Sequence, residues 1–401
     1  MNQVKEIYLD NSATTCVDDK VKKAMDKYFS KEFGNPGSFN TIGLRAKDAV
    51  DSARKKIAEI LNADFKEIIF TGSGTESINL AIQGVGKARK EKGKHIITTK
   101  TEHHAVSETL YYLAKDEGYE ITYLDVDQYG KVTVKQVEDA IREDTILVTI
   151  MYANNEIGTI NPISEIGAML KEKHKTVYFH TDACQAAGSL DLDVKKLNVD
   201  LLSINGSKIY GPKGTGVLYV RKGVQIKPII YGGGQEFGLR SGTENVPGII
   251  GIAKALEIAQ EIKEKENARL IILRDKLING IIEKIPKSFL NGHPTERLPN
   301  NVNMTILDVE GEAVMLAMNE DGLCFSSGSA CTSSTLDPSH VILAIGLPYE
   351  AAHGSLRFSL GKNTTEQDVD YILEKLPPVV EKLRQWSPVK LDMKDVLEGR
   401  I

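Results

Sequence analysis

Lys208 lies in Asn205-Gly206-Ser207-Lys208-Ile209-Tyr210-Gly211-Pro212-Lys213-Gly214, directly after the apolar run Leu201-Leu202-Ser203-Ile204. That run reads as a short buried strand, which puts the lysine just past a strand end, on a glycine-punctuated turn. An amine held there and partly stripped of water gives up its proton more readily and becomes a nucleophile toward aldehydes. A lone loop lysine is ordinarily a surface lysine, so the other groups decide the matter. Asp182 follows the apolar Val177-Tyr178-Phe179-His180, and Gln185 comes shortly after it. A carboxylate so placed can keep the nitrogen of a heteroaromatic ring protonated, and the amide can reach a ring hydroxyl. Asp182 can also cap a helix, and the two roles are compatible. In Glu102-His103-His104, His103 can stack on such a ring and move protons near neutral pH.

Two further stretches carry chemistry. Glu67-Ile68-Ile69-Phe70-Thr71 reads as a strand, followed by Gly72-Ser73-Gly74-Thr75-Glu76-Ser77 and renewed helical spacing from Ile78. Strand, glycine turn and helix start form a cup whose free N–H groups and helix dipole face an anion. The turn is neither a Walker A sequence nor a GxGxxG, which disfavours nucleoside triphosphates and dinucleotides. The second stretch is Ser326-Ser327-Gly328-Ser329-Ala330-Cys331-Thr332-Ser333-Ser334. Small polar residues surround one cysteine, so Cys331 is expected to be a reachable, reactive thiol, whereas Cys324 within the preceding strand is expected to be inert. A lysine for a Schiff base, a carboxylate for a ring nitrogen and a phosphate cup are the parts that pyridoxal phosphate requires.

The elements that must position these groups alternate. Strands are predicted near 68–71, 95–99, 121–124, 145–150, 177–180, 201–204 and 216–220, with helical patterns between most of them. This alternation predicts an α/β fold with a mainly parallel, doubly wound sheet. Ligands of such sheets bind outside the carboxyl ends of the strands, where Glu102-His103-His104, Asn154-Asn155-Glu156, Asp182 with Gln185, and Lys208 all fall. A long helical pattern runs from Val246-Pro247 past Ile285. Beyond it, strands near 302–306, 323–326 and 355–360, and a capping box at Thr364-Thr365-Glu366-Gln367, predict a smaller α+β domain. The expected division is a large domain over 17–260 and a smaller one made of 1–16 and 261–401, which carries Cys331. The charged tail after Trp386 is expected to be peripheral.

Composition narrows the function classes. With 401 residues, the chain is too long for one small core. Its 41% apolar and 26% charged residues are those of a soluble globular protein. A net charge of −5 gives no electrostatic case for nucleic acid or an anionic membrane. No apolar run is long enough to span a membrane, and the start lacks the run of a signal peptide, so a cytoplasmic location is expected. Cys16, Cys184, Cys324 and Cys331 form no CxxC or zinc pattern; reduced thiols and no metal site are expected.

Taken together, these stretches resemble the cysteine desulfurases of the NifS/IscS type, within the fold type I pyridoxal-phosphate enzymes of the aminotransferase class V family. The likeness runs through Tyr8-Leu9-Asp10-Asn11-Ser12-Ala13-Thr14-Thr15, Phe33-Gly34-Asn35-Pro36, Gly74-Thr75-Glu76-Ser77 and Lys100-Thr101-Glu102-His103. It continues in Asn154-Asn155-Glu156-Ile157-Gly158, Asp182 with Gln185, the Lys208 segment, Arg240-Ser241-Gly242-Thr243, the Cys331 loop and Arg357-Phe358-Ser359-Leu360-Gly361. The resemblance implies that Lys208 bonds pyridoxal phosphate, Asp182 pairs with its ring nitrogen, and Gln185 and Asn155 meet ring oxygen or substrate. It implies that His103 stacks and acts as acid or base, that Gly74, Thr75 and a partner subunit's Thr243 bind phosphate, and that Arg357 clamps the substrate carboxylate. It implies Cys331 as the nucleophile that takes sulfur from L-cysteine, leaving L-alanine, in a homodimer that passes the sulfur to an iron–sulfur scaffold or a thiolation carrier. Where the family usually reads Ser-Gly-His-Lys, this chain has Asn205-Gly206-Ser207-Lys208, so two expected phosphate ligands become residues that still donate hydrogen bonds. The alternatives are a related pyridoxal-phosphate lyase or aminotransferase, or a sulfur-transfer scaffold that has lost catalysis.

Overall fold

The computed structural model describes residues 5–327 and 337–399. Cys331 lies outside the described residues. The strands are β1 (Ile7–Tyr8), β2 (Ile68–Thr71), β3 (His95–Thr99), β4 (Glu120–Leu124), β5 (Thr145–Thr149), β6 (Tyr178–Asp182), β7 (Leu201–Asn205) and β8 (Gly216–Val220), followed by β9 (Ser288–Leu290), β10 (Asn301–Ile306), β11 (Leu323–Cys324), β12 (Ser326–Ser327) and β13 (Ser355–Ser359).

Seven strands form one sheet in the order β2-β8-β7-β6-β5-β3-β4. Side chains alternate across it: Ile68, Phe70, Val217 and Tyr219 enter one apolar cluster, and Ile69, Leu218 and Val220 the other. Burial on both faces explains why these strands read as nearly continuous apolar runs. Helices Thr41–Leu61 and Val246–Lys284 contribute to the first cluster, and Gly74–Arg89 and His104–Glu117 to the second. The α/β, doubly wound expectation holds. The pairs from β7 through β6, β5 and β3 to β4 are parallel, and β8 is antiparallel to both its neighbours. Because β2 is antiparallel to β8, it runs in the same sense as β7. The chain therefore leaves β2, β3, β5, β6 and β7 at one edge of the sheet, and the site forms there.

The helix Val246–Lys284 has 39 residues, hence a length of about 58 Å at 1.5 Å per residue. Its first half buries Ile249, Ile252 and Leu256 in the large-sheet core. Its second half buries Leu273, Leu277 and Ile281 in a separate core with β10, β13 and the helix Glu366–Trp386. The helical pattern predicted past Ile285 stops at Lys284. Pro286 forces the residue before it out of the helical region, and Ile285 is extended at φ −123° and ψ 99°. The short β9 that follows escapes sequence reading. It joins a four-stranded sheet ordered β12-β13-β10-β9.

The single strand expected over 323–326 is two strands in two sheets: β11 pairs with β1, and β12 with β13. The break falls at buried Phe325, whose ring packs 4.4 Å from that of Phe358. A capping box is present one residue beyond the expected Thr364–Gln367 pair, with Thr365 and Asp368 bonding reciprocally. The tail is less peripheral than expected. Leu391 donates its N–H to Asp308 Oδ1 at 2.7 Å and accepts from Lys287 Nζ at 2.7 Å, and Val396 of the helix Met393–Glu398 is buried beside Ile345 and Leu347. Leu391 and Met393 pack against the same cluster, partly buried. No helix among the described residues is long and apolar enough to cross a membrane.

Candidate active site

A cavity of about 330 Å³ opens at the carboxyl edge of the large sheet. Gly74 and Thr75 after β2, His103 after β3 and Asn155 after β5 line it. So do Asp182 and Gln185 from the end of β6, and Asn205, Ser207 and Lys208 from the end of β7. Arg357 enters from β13 of the smaller sheet. Ten sequence-predicted residues thus meet in one space. Thr243, which is exposed, does not line the cavity of its own chain.

Lys208 ends the 3₁₀ turn Gly206–Lys208. Its Nζ donates to the carbonyls of Ser12 at 2.8 Å and Ala13 at 2.5 Å. The same N-terminal segment binds the lysine turn at several points. Thr15 donates both N–H and Oγ1 to the Ser207 carbonyl, at 2.8 and 3.0 Å. Tyr210 donates its N–H to Thr15 Oγ1 at 2.8 Å, and its hydroxyl accepts from the Lys362 N–H at 2.8 Å. Tyr210 sits at φ 60°, a left-handed conformation unusual for a bulky residue, and these bonds hold it there.

The opposite end of the cavity suits an anion. Ser73 caps the helix Gly74–Arg89 by accepting from Glu76 N, leaving the amides of Gly74 and Thr75 without carbonyl partners within the helix. A Cβ on Gly74 would lie 2.7 Å from Cys184 Sγ and 3.1 Å from Asn205 Cβ, so only glycine fits between them. Asn205 Oδ1 accepts from both the amide and the hydroxyl of Ser207, each at 3.1 Å. The two residues that replace the family's usual serine and histidine therefore bind each other, and Asn205 Nδ2 remains as a donor.

Burial sets the charges. His103 caps the helix His104–Glu117 by accepting from Ala105 N at Nδ1, 3.0 Å. The neutral tautomer that suits this bond carries its proton on Nε2. Burial pushes the imidazole below its ordinary range; Asp182 opposes this and the Lys208 ammonium adds to it. Beneath Asp182, His180 is fully buried between Thr149 Oγ1 at 2.8 Å and Ser203 Oγ at 3.0 Å, and burial lowers it to about 4. His180 is therefore neutral at physiological pH. Glu102 is pushed up to about 8 by burial, despite accepting from Thr99 Oγ1 and Met151 N, and it is mostly protonated at neutrality.

Arg357 is almost wholly buried. Its Nη1 donates to the Asn155 carbonyl at 3.3 Å and its Nη2 to Asp10 Oδ1 at 2.8 Å. Its buried Nε has no hydrogen-bond partner among the described residues. Sequence reasoning assigned no roles to Asp10, Ser12, Ala13, Cys184 and His180. The first three fall in the stretch Tyr8 to Thr15, so a signal was present. Their contacts, however, are through backbone carbonyls or across roughly the full length of the chain, which spacing cannot reveal.

A lysine at a strand end, a buried carboxylate and a helix N-terminus around one cavity define a fold type I pyridoxal-phosphate site. The family model for aminotransferase class-V matches residues 7–372, and the chain belongs to that family. The cysteine desulfurase IscS of Methanosarcina thermophila is 54% identical over 385 residues, covering 96% of this chain and 94% of its own. The cysteine desulfurase IscS of Clostridium botulinum (strain Hall) is 51% identical over 387 residues, covering 96% and 97%. Among solved structures, a NifS-like protein superposes with a TM-score of 0.89 at 38% identity, over 94% of this chain and 100% of that one. The NifS-like protein from Rickettsia africae gives 0.84 at 30% identity, with 94% and 100% covered.

Pyridoxal phosphate is the cofactor of this family, and the residues present fit it. Lys208 supplies the amine, Asp182 the carboxylate, and Gly74, Thr75, Asn205 and Ser207 an anion cup in which a Cβ at Gly74 would collide.

Proposed function

We propose that this chain is a pyridoxal-phosphate-dependent cysteine desulfurase that converts L-cysteine to L-alanine and carries the sulfur as a persulfide on Cys331. The observation that supports this most is the meeting of Lys208, Asp182 and Arg357 in one cavity, from two different sheets. Bound pyridoxal phosphate supplies a sink for the electron pair left when the substrate Cα–H bond breaks. The chain's own residues do the rest. Asp182 would hold the ring nitrogen, Gln185 the ring oxygen, and the Gly74–Thr75 amides with Ser207 and Asn205 the phosphate. Arg357 and Asn155 bind and orient the amino acid. Lys208 takes the Cα proton and returns it. The Cys331 thiolate attacks the substrate sulfur and the S–S bond forms as the C–S bond breaks; the electron pair of that bond stays on Cβ, which takes up the proton that the Cys331 thiol gave up and so completes alanine. His103 would stack on the ring and could donate from Nε2. With Nε2 already protonated, the substrate thiol proton can be taken up only at Nδ1, and doing so surrenders the Ala105 cap.

In the same reading the protein is a cytoplasmic homodimer in which Thr243 completes the partner's phosphate cup. The acceptor is an iron–sulfur scaffold or a thiolation carrier. The two domains divide at 17–260 against 1–16 with 261–401, with the helix Val246–Lys284 passing between the two cores.

The test pairs Cys331→Ala with Lys208→Ala. Cys331→Ala should keep the cofactor, change its absorbance on adding L-cysteine, and form no persulfide and little alanine by intact-protein mass and alanine assay. Lys208→Ala should lose turnover altogether. Normal persulfide and alanine from Cys331→Ala would overturn the proposal.

A further inference from the structure

We propose that Asp10 is an internal counter-ion with which the α-carboxylate of the substrate must compete for Arg357, so that Asp10 sets amino-acid affinity and product release. The inference deepens the desulfurase reading and rests on it. Asp10 is a positioning residue that acts through Arg357.

Arg357 cannot leave its place. β13 is paired with β10 on one side and β12 on the other, with Arg357 opposite Asn303 and Ser326. Within its guanidinium, Nε and Nη2 share the edge that takes a carboxylate in a side-on bidentate pair. Asp10 Oδ1 holds Nη2 at 2.8 Å, while Nε on that edge is buried with no hydrogen-bond partner among the described residues. Asp10 therefore occupies half of a bidentate site and leaves a costly buried donor beside it. The arginine side chain is 3% exposed and the aspartate 22%, so the aspartate is the half-solvated partner that can yield. Glu156 is a second carboxylate near Arg357. It is buried, is raised to about 7 by that burial, and accepts from Ser339 Oγ at Oε2. It makes no direct bond to the guanidinium among those described, which leaves Asp10 as the competitor.

The location of Asp10 adds a link to the lysine. Asp10 bridges to Ser359, and Ser12 donates its N–H to Ser359 Oγ at 2.9 Å. Ser12 and Ala13, on the same segment, offer the carbonyls that hold Lys208 Nζ. A carboxylate arriving at Arg357 thus acts on the segment that also holds the lysine.

The experiment uses the holoenzyme and L-alanine, which carries the carboxylate and amine without sulfur and so does not depend on Cys331. Asp10→Asn keeps an oxygen acceptor for Nη2 and removes the charge. Binding of L-alanine, followed by calorimetry and cofactor absorbance, should tighten about tenfold. Binding of L-alaninamide, which lacks the carboxylate, should not change. KM for L-cysteine and kcat should both fall, because the product is held longer. Asp10→Glu, which keeps the charge, should stay within about twofold of wild type for L-alanine. Cofactor absorbance and melting temperature check that each variant is folded and loaded. Unchanged or weaker L-alanine binding in Asp10→Asn, or equal tightening in Asp10→Glu, overturns the inference. If wild type binds neither L-alanine nor L-cysteine, the desulfurase reading falls and this inference with it.

Discussion

Replacing Gly74 by alanine tests the phosphate end of the cavity with a single methyl group. Gly74 is the first residue of its helix and does not use a positive φ, so backbone conformation permits alanine there. On propensity alone the change would stabilise by roughly 0.5–1 kcal/mol. The surroundings reverse the sign. The new Cβ would stand 2.7 Å from Cys184 Sγ, about 1 Å inside normal contact, and 3.1 Å from Asn205 Cβ. Cys184 is buried, its N–H donates to Asp182 Oδ1 at 2.9 Å and its thiol faces the Ser203 carbonyl at 3.8 Å, so it has little room to turn. Overpacking of this kind costs about 1–3 kcal/mol, leaving a net loss of up to about 2.5 kcal/mol in the apoprotein. The displaced Asn205 would also weaken cofactor retention, because it organises Ser207. Cys184→Ala removes the colliding sulfur, so the double variant should recover most of the loss. Denaturant midpoints of wild type, both single variants and the double variant form the cycle, and equilibrium dialysis reports cofactor affinity. A coupling of at least about 1 kcal/mol in the compensating direction is expected. Additive effects within about 0.3 kcal/mol would refute the steric argument.

Arg54 is buried, pairs with Glu236 at 2.7 Å and lies over the rings of Phe65, Phe70 and Phe237; Arg54→Met should destabilise by about 3–5 kcal/mol in chemical denaturation, because Glu236 is left uncompensated. Arg54→Met with Glu236→Gln should recover part of that loss. Glu102 shows the opposite of an ion-paired carboxylate. Its pKa rises from the ordinary 4.5 to about 8 on folding, so the folded state binds more protons than the unfolded state between those values. Its contribution to stability is present below about pH 4.5 and is lost as pH rises toward 8. Glu102→Gln should flatten the decline of the denaturant midpoint across that window, and an unchanged slope would contradict it.

Local chemistry made several features readable before any fold was known. Apolar runs between glycine-rich turns mark β2, β6 and β7, because strands buried on both faces admit few polar residues. Asp182 ends β6, and Gly74 and Lys208 come within three residues of the ends of β2 and β7, so strand direction alone carries them to one edge. The helix from Val246 is equally local, and the start of the last long helix was legible to within one residue of its Thr365 cap. Other features depend on residues distant in sequence. β8 is reversed by its pairing, not by its composition, and that reversal brings the Gly74 helix to the lysine. β11 and β12 part at Phe325 because two sheets compete for one short run. Asp10 meets Arg357, and Ser12 and Ala13 meet Lys208, through contacts across roughly the full length of the chain or through backbone carbonyls. A carbonyl is the same in every residue, and a one-dimensional string carries no record of which of them a buried cation will find. Residue types and local runs tell which groups can do the chemistry; long-range packing settles which carboxylate and which carbonyls hold them in wait.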